Sequence, residues 1–207
     1  MIGRSRIEVD NYESVVSEEN HIRIKEIVND FIKKNQIRIL PVDVVSIATK
    51  CKWIVVPYSK VTIVLKDLYE EIMYTDWGFT IEYNEQYFIF YNDSIKIGSQ
   101  RFTIAHEIGH IVLEHFLSSD ATTREKEANL FASRLLMPLN VLNECKVQSK
   151  KEIEMLCGVS FTAASYRFEK LEKLRTNRKR QNNLEELQTI EQFREFIENY
   201  KKGQKSV

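Results

Sequence analysis

Apolar residues recur at helical spacing through residues 21–34, where Ile24, Ile27, Val28 and Phe31 share one face. A second short helix is expected to start at Leu40–Pro41 and to carry Val44, Val45, Ile47 and Ala48 on or near one side. The period then changes. Trp53–Val56 and Val61–Leu65 are short runs rich in β-branched residues, which suit a pleated, half-buried surface. Gly78–Tyr83 and Tyr87–Tyr91 flank Asn84–Glu85–Gln86, whose residue types favour a turn, so the pair reads as a hairpin. Helical spacing returns over 99–117. Another helix is expected over 122–136, stopped near Met137–Pro138 because proline cannot continue a helix. Residues 140–175 stay helical with a break at Gly158. Residues 184–200 form an amphipathic helix through Leu184, Leu187, Ile190, Phe193, Ile197 and Tyr200. There is no internal repeat and no low-complexity tract.

Composition narrows the class. At 207 residues, 43% hydrophobic and 29% charged, the chain can bury a substantial core. Thirty basic residues balance 30 acidic ones, which removes any global electrostatic argument for nucleic acid or an anionic membrane. The three cysteines, Cys51, Cys145 and Cys157, are odd in number and have neither zinc-ribbon nor disulfide-framework spacing. The first ten residues lack the apolar core of a signal peptide, and no run is long enough to cross a bilayer. A cytoplasmic location is the expectation.

The candidate chemistry lies at His106–Glu107–Ile108–Gly109–His110. On a helical wheel His106 and His110 fall within about 40° of each other, and Ile104, Ile108, Ile111, Val112 and His115 lie opposite. Two histidines four residues apart can hold one zinc ion, and the intervening glutamate can reach water at that ion. On this wheel His115 reads as a structural core residue. Gly109 costs about 1 kcal/mol against alanine within a helix, so something is expected to approach the backbone there. A peptidase zinc needs a third protein ligand, and no third histidine follows at the required spacing. On the next helix Ala128, Phe131, Ala132, Leu135 and Leu136 mark the buried side. Glu125 lies at its edge with Asn129 one turn on, while Glu127 lies farther round toward solvent. Glu125 is therefore the better ligand, and Asn129 is placed to hydrogen-bond a ligand histidine. Two alternatives stay open: Glu125 as the partner of Thr122 in a capping box, and Glu114 as a rival ligand.

The stretches RFTIAHEIGHIVLEH and EKEANLFASRLLMP together resemble the ImmA/IrrE family of zinc metallopeptidases. The resemblance extends over residues 22–175, including Leu40–Pro41–Val42–Asp43, and leaves the last thirty residues without a counterpart. It implies Zn2+ held by His106, His110 and Glu125, with Glu107 as catalytic base. It also implies a protein substrate, a helix-turn-helix repressor, since members of that family cut or inactivate such repressors. The expected fold is α+β: a small, mostly antiparallel sheet packed on zincin-like helices that carry HEIGH, with a C-terminal helical extension. The expected organisation is a polar arm (1–20), a zinc metallopeptidase domain (21–142), a helix-turn-helix-like segment (143–176), and a basic linker with an amphipathic helix (177–207). The edge of the strand Tyr87–Tyr91 could hold an extended substrate by strand addition.

A DNA-binding regulator and a non-catalytic zinc-containing interaction module compete with the peptidase. Gly158–Val159–Ser160 between two helical patterns is similar to a helix-turn-helix. However, the basic residues concentrate at 173–180, after the would-be recognition helix, which favours a structural or docking role over DNA binding.

Overall fold

The computed structural model of the chain describes residues 16–61, 76–115, 120–176 and 184–204. Most of the expected arm, the strand beyond Val61 and the basic linker at 177–183 lie outside them. The described residues fall into two compact units, one holding Asp43–Ala132 and the other combining Ser17–Val42 with Ser133–Val207.

The first unit opens with α2 (Val44–Lys50), which follows α1 (Glu18–Lys34) in the chain. It starts at Val44 rather than at Pro41 because Asp43 is the cap: its carboxylate accepts from the Ser46 amide at 3.0 Å and from the Ser46 hydroxyl at 2.7 Å. Strands β1 (Ile54–Pro57), β2 (Gly78–Tyr83) and β3 (Gln86–Tyr91) follow, then helices α3 (Ile97–Val112) and α4 (Ala121–Leu136), the last of which continues into the second unit. Asn84 and Glu85 both adopt positive φ, 51° and 60°, the turn that matches strand twist in a two-residue hairpin. The hairpin is thus one residue tighter than Asn84–Glu85–Gln86 suggested.

The sheet is mixed, with order β1-β3-β2. β2 pairs antiparallel with β3, and β1 pairs parallel with it. This corrects the mostly antiparallel expectation. The chain between β1 and β3 is long enough to return in the same direction, and β2 lies within it. It also corrects the strand-addition site: β3 is bonded on both sides and has no free edge. On one face of the sheet Phe79 stacks on Phe90 with ring centroids 4.9 Å apart. The opposite face carries Gly78 and Thr80 toward α3. A Cβ at Gly78 would sit 2.5 Å from Thr103 Cγ2 and 2.6 Å from the Phe90 carbonyl oxygen, so only glycine allows the helix this close.

The second unit contains α1 (Glu18–Lys34), α5 (Leu139–Glu144), α6 (Lys150–Cys157), α7 (Phe161–Thr176), α8 (Leu184–Gln192) and α9 (Arg194–Gln204). α1 begins three residues before the expected start because the Ser17 side chain caps it by accepting from the Asn20 amide. Its apolar stripe, Ile24, Val28, Phe31 and Ile32, is buried, and α1 packs with α8. The Gln192 side-chain amide donates to the carbonyls of Ile32 at 2.9 Å and Ile37 at 2.8 Å, tying α8 to the end of α1. The expected single helix over 184–200 is two helices meeting at Phe193, whose amide is shared between the Thr189 and Ile190 carbonyls at 3.2 Å each. Phe193 and Ile197 are buried while Leu187 is exposed, so only part of that apolar stripe is buried. α6 ends at Gly158 in the left-handed conformation (φ 62°), the break foreseen from the sequence.

Candidate metal centre

α3 is a core helix. From Thr103 to Ile111 every residue is buried, His106, Glu107 and His110 included. The histidine face, which the wheel sets apart from the apolar side, is covered by other polar side chains. Gly109 makes this possible. A Cβ there would lie 3.1 Å from the Phe131 ring and 3.3 Å from both Cα and the carbonyl oxygen of Ala128. The close approach inferred at Gly109 is therefore the backbone of α4, which lies across α3 and brings Glu125 to the histidines.

One ligand atom each from His106, His110 and Glu125 lies within 4.8 Å of the others. Glu125 places one oxygen 3.2 Å from His106 Nε2 and the other 3.5 Å from His110 Nε2. The two Nε2 atoms are 3.0 Å apart. Two imidazole nitrogens and a carboxylate pointing at one place form a donor set suited to zinc. Capping of α4 does not compete for Glu125: Asp120 accepts from the Thr123 amide at 2.9 Å and so occupies that role. Glu114 is exposed and does not join the cluster.

The ring orientations fit ligation. Asn129 Oδ1 lies 2.9 Å from His106 Nδ1. An amide oxygen only accepts, so Nδ1 carries the proton and Nε2 keeps its lone pair for a cation. Asn129 thus stands where the helical row put it. His110 titrates well below the ordinary histidine range, because of its burial and then because of the neighbouring His106, His115 and Arg124. A neutral imidazole is what ligation needs. Burial works to lower His106 as well, but its bond to Glu125, the charges of Glu107 and Glu125, and its bond to Asn129 outweigh it, and its pKa is raised.

Glu107 sits beside this cluster. Burial pushes its carboxyl up to about 7, against the opposing effects of His106 and of the Thr80 hydroxyl, with Glu125 adding to the rise. Thr80 on β2 donates to Glu107 Oε2 at 2.8 Å, a contact that periodicity could not reveal because it joins a strand to a helix. A carboxylate with a pKa near neutrality, next to a metal site, is suited to take and return a proton.

Two residues differ from their expected places. His115 is not on the far side of the helix. α3 stops at Val112, Glu114 turns left-handed (φ 55°), and the His115 amide donates to the His110 carbonyl at 3.1 Å while the Glu114 amide donates to that of Ile111 at 3.1 Å. This is a Schellman ending built with glutamate where glycine is usual. The chain reversal places His115 Nδ1 2.9 Å from His110 Nδ1. Glu127 is not solvent-facing: it is 4% exposed and bonds His115 Nε2 at 3.1 Å. The only signal in the sequence was a third histidine so soon after the pair, in a chain with four.

Among the described residues no helix is long and apolar enough to cross a membrane. Residues 65–169, half of the chain, match the family model of the M78 peptidases, described as the IrrE N-terminal-like domain. The matched stretch holds β2, β3, α3 and α4 with all the residues of this centre. No curated protein matches the chain significantly.

Proposed function

The chain belongs to the M78 peptidase family, that of the IrrE N-terminal-like domain, and on that premise we propose that it is a zinc-dependent endopeptidase that cuts a helix-turn-helix repressor at one or a few bonds. The observation that carries the reading is the convergence of His106, His110 and Glu125 on one point with Glu107 alongside. When bound, zinc supplies Lewis acidity that polarises a carbonyl and makes water a stronger acid. His106 and His110 present their Nε2 lone pairs, oriented from behind by hydrogen bonds. Glu107 accepts a proton from the attacking water and delivers it to the leaving amine, and the Thr80 hydroxyl aims its carboxylate. With β3 bonded on both sides, an extended substrate segment fits best along β2, an edge strand of the described sheet that carries Thr80.

Several features support docking of a folded protein partner over DNA binding by α6 and α7. Their exposed surface includes Met155, Phe161 and Tyr166. Arg175 is held by its own unit, donating to the Val147 carbonyl at 2.8 Å and to Asn143 Oδ1 at 3.2 Å, and pairing with Glu172. Three cysteines not engaged in disulfides are in keeping with action in the reducing cytoplasm.

Metal analysis and intact-mass assays test this. The purified protein should carry about one zinc per chain, and Glu125→Ala should lose it. Incubation with a genetically linked repressor should yield one or a few products and leave casein largely intact. Zinc retained at full affinity in Glu125→Ala, or indiscriminate digestion of casein, would refute the reading.

A further inference from the structure

Behind the proposed zinc ligands lies a second pair of side chains that the peptidase mechanism does not use. His115 and Glu127 are 3% and 4% exposed, and burying an ionisable pair is costly unless each group is bonded. They form a continuous line with a ligand: Glu127 Oε2 is 3.1 Å from His115 Nε2, and His115 Nδ1 is 2.9 Å from His110 Nδ1. We propose that Glu127 and His115 are positioning residues that hold His110 in the one tautomer whose Nε2 lone pair faces the metal, an inference that rests on the zinc-peptidase reading.

Donors and acceptors must alternate along this line. A neutral imidazole has one N–H and one lone pair. A carboxylate only accepts, so Glu127 requires the His115 proton on Nε2. His115 Nδ1 is then an acceptor. At 2.9 Å from it, His110 Nδ1 must be the donor, because two lone pairs that close repel. His110 Nε2 is left unprotonated, 3.0 Å from His106 Nε2 and pointing where Glu125 points; there the approach of two lone pairs is one that a cation held by both would offset, whereas no such cation could lie between the two Nδ1 atoms. The reverse assignment sets a lone pair of His115 against the carboxylate and puts a proton into the metal site. The two ligand histidines are thus oriented by different means. His106 donates to a neutral amide oxygen, Asn129. His110 donates to an imidazole that is itself bonded to a carboxylate, an arrangement that raises the basicity of the ligating nitrogen.

The backbone points the same way. His115 reaches His110 only because Glu114 adopts φ 55°, a left-handed conformation that is unfavourable for a residue with a Cβ. Such strain is kept where surrounding structure over-determines it, often at functional sites. Here it delivers one imidazole to another.

The test sets two substitutions against each other. His115→Phe fills the volume but offers no acceptor. His115→Asn leaves a void but places a carbonyl oxygen near the position of Nδ1. If His115 only packs, Phe is the better replacement; if it orients His110, Asn is. The readout is Zn2+ affinity, measured by competition with a chelating dye. His115→Phe should weaken binding roughly ten- to a hundred-fold, and His115→Asn by only a few-fold. Glu127→Gln, which keeps an acceptor oxygen, should weaken it less than Glu127→Met. Histidine tautomers read by long-range 1H–15N NMR in the zinc-loaded wild type give a measurement that needs no variant: His115 should be neutral with its proton on Nε2. Wild-type affinity in His115→Phe, equal losses in Phe and Asn, or a proton on His115 Nδ1 would overturn the relay while leaving the zinc site standing. Zinc binding that is indifferent to Glu125→Ala would overturn both.

Discussion

Replacing Gly109 by alanine sets two effects of opposite sign against each other. Helix propensity favours alanine by about 1 kcal/mol at an interior position such as this. Against it stands the space: the new methyl would meet Phe131 at 3.1 Å and Ala128 Cα and carbonyl oxygen at 3.3 Å. Two of those three atoms are helix backbone, and the Phe131 ring is fully buried, so none is the free end of a flexible side chain. Overpacking of this kind costs about 1–3 kcal/mol. The clash wins, and we expect Gly109→Ala to be less stable by roughly 1 kcal/mol net. The relief available is separation of α3 from α4. Because Ala128 and Glu125 share α4, that movement carries Glu125 away from His106 and His110, and zinc affinity should fall with stability. Urea unfolding of the metal-free protein, followed by tryptophan fluorescence, measures the first effect. Both tryptophans, Trp53 and Trp77, lie in the Asp43–Ala132 unit, so the signal reports the unit in question. Gly203→Ala is the control. That glycine lies near the end of α9 with nothing within 4 Å of a built Cβ, and the change should not lower stability measured by circular dichroism. Should Gly109→Ala match or exceed the wild type in stability with unchanged zinc affinity, the close helix approach does not limit this site.

Glu107→Gln should keep zinc and lose peptidase activity, since an amide cannot take the proton; near wild-type turnover would remove Glu107 from the mechanism. The same variant carries a pH signature in the metal-free protein. The Glu107 carboxyl is raised from 4.5 to about 7 on folding, so the folded state holds its proton longer than the unfolded state does. Its contribution to stability is therefore unpenalised below pH 4.5 and falls as pH rises to about 7, by up to about 3 kcal/mol, then levels off. Relative to wild type, Glu107→Gln should gain stability across that window, and a difference that stays flat with pH would contradict the burial argument. Thr80→Val removes the hydroxyl that favours the ionised carboxylate. The acid limb of kcat/KM should move to higher pH, and Thr80→Ser should restore it.

Much of the centre was legible in the sequence because a helix repeats. Once residues 106–110 and 125–129 are helical, backbone geometry alone puts His106 beside His110 and Glu125 in line with Asn129. The glycine at 109 announced a close approach for the same local reason. What repetition could not supply was decided where it stops. The wheel that put His115 on the core side assumed that α3 continued, but the helix ends at Val112 and Glu114 reverses the chain without the glycine that would have signalled it. Glu127 reads as solvent-facing on its own helix. It is buried because His115 arrives from another segment to cover it, and burial depends on what packs from outside. Thr80 reaches Glu107 only through the packing of the sheet on α3, and the central place of β3 follows from strand pairing that alternation along one strand does not encode. The same holds for the helices: the spacing of α1 and of residues 184–200 marks their apolar stripes, but only tertiary packing joins them. Local backbone geometry thus determines which side chains line the candidate site, while long-range contacts determine which ones stand behind them.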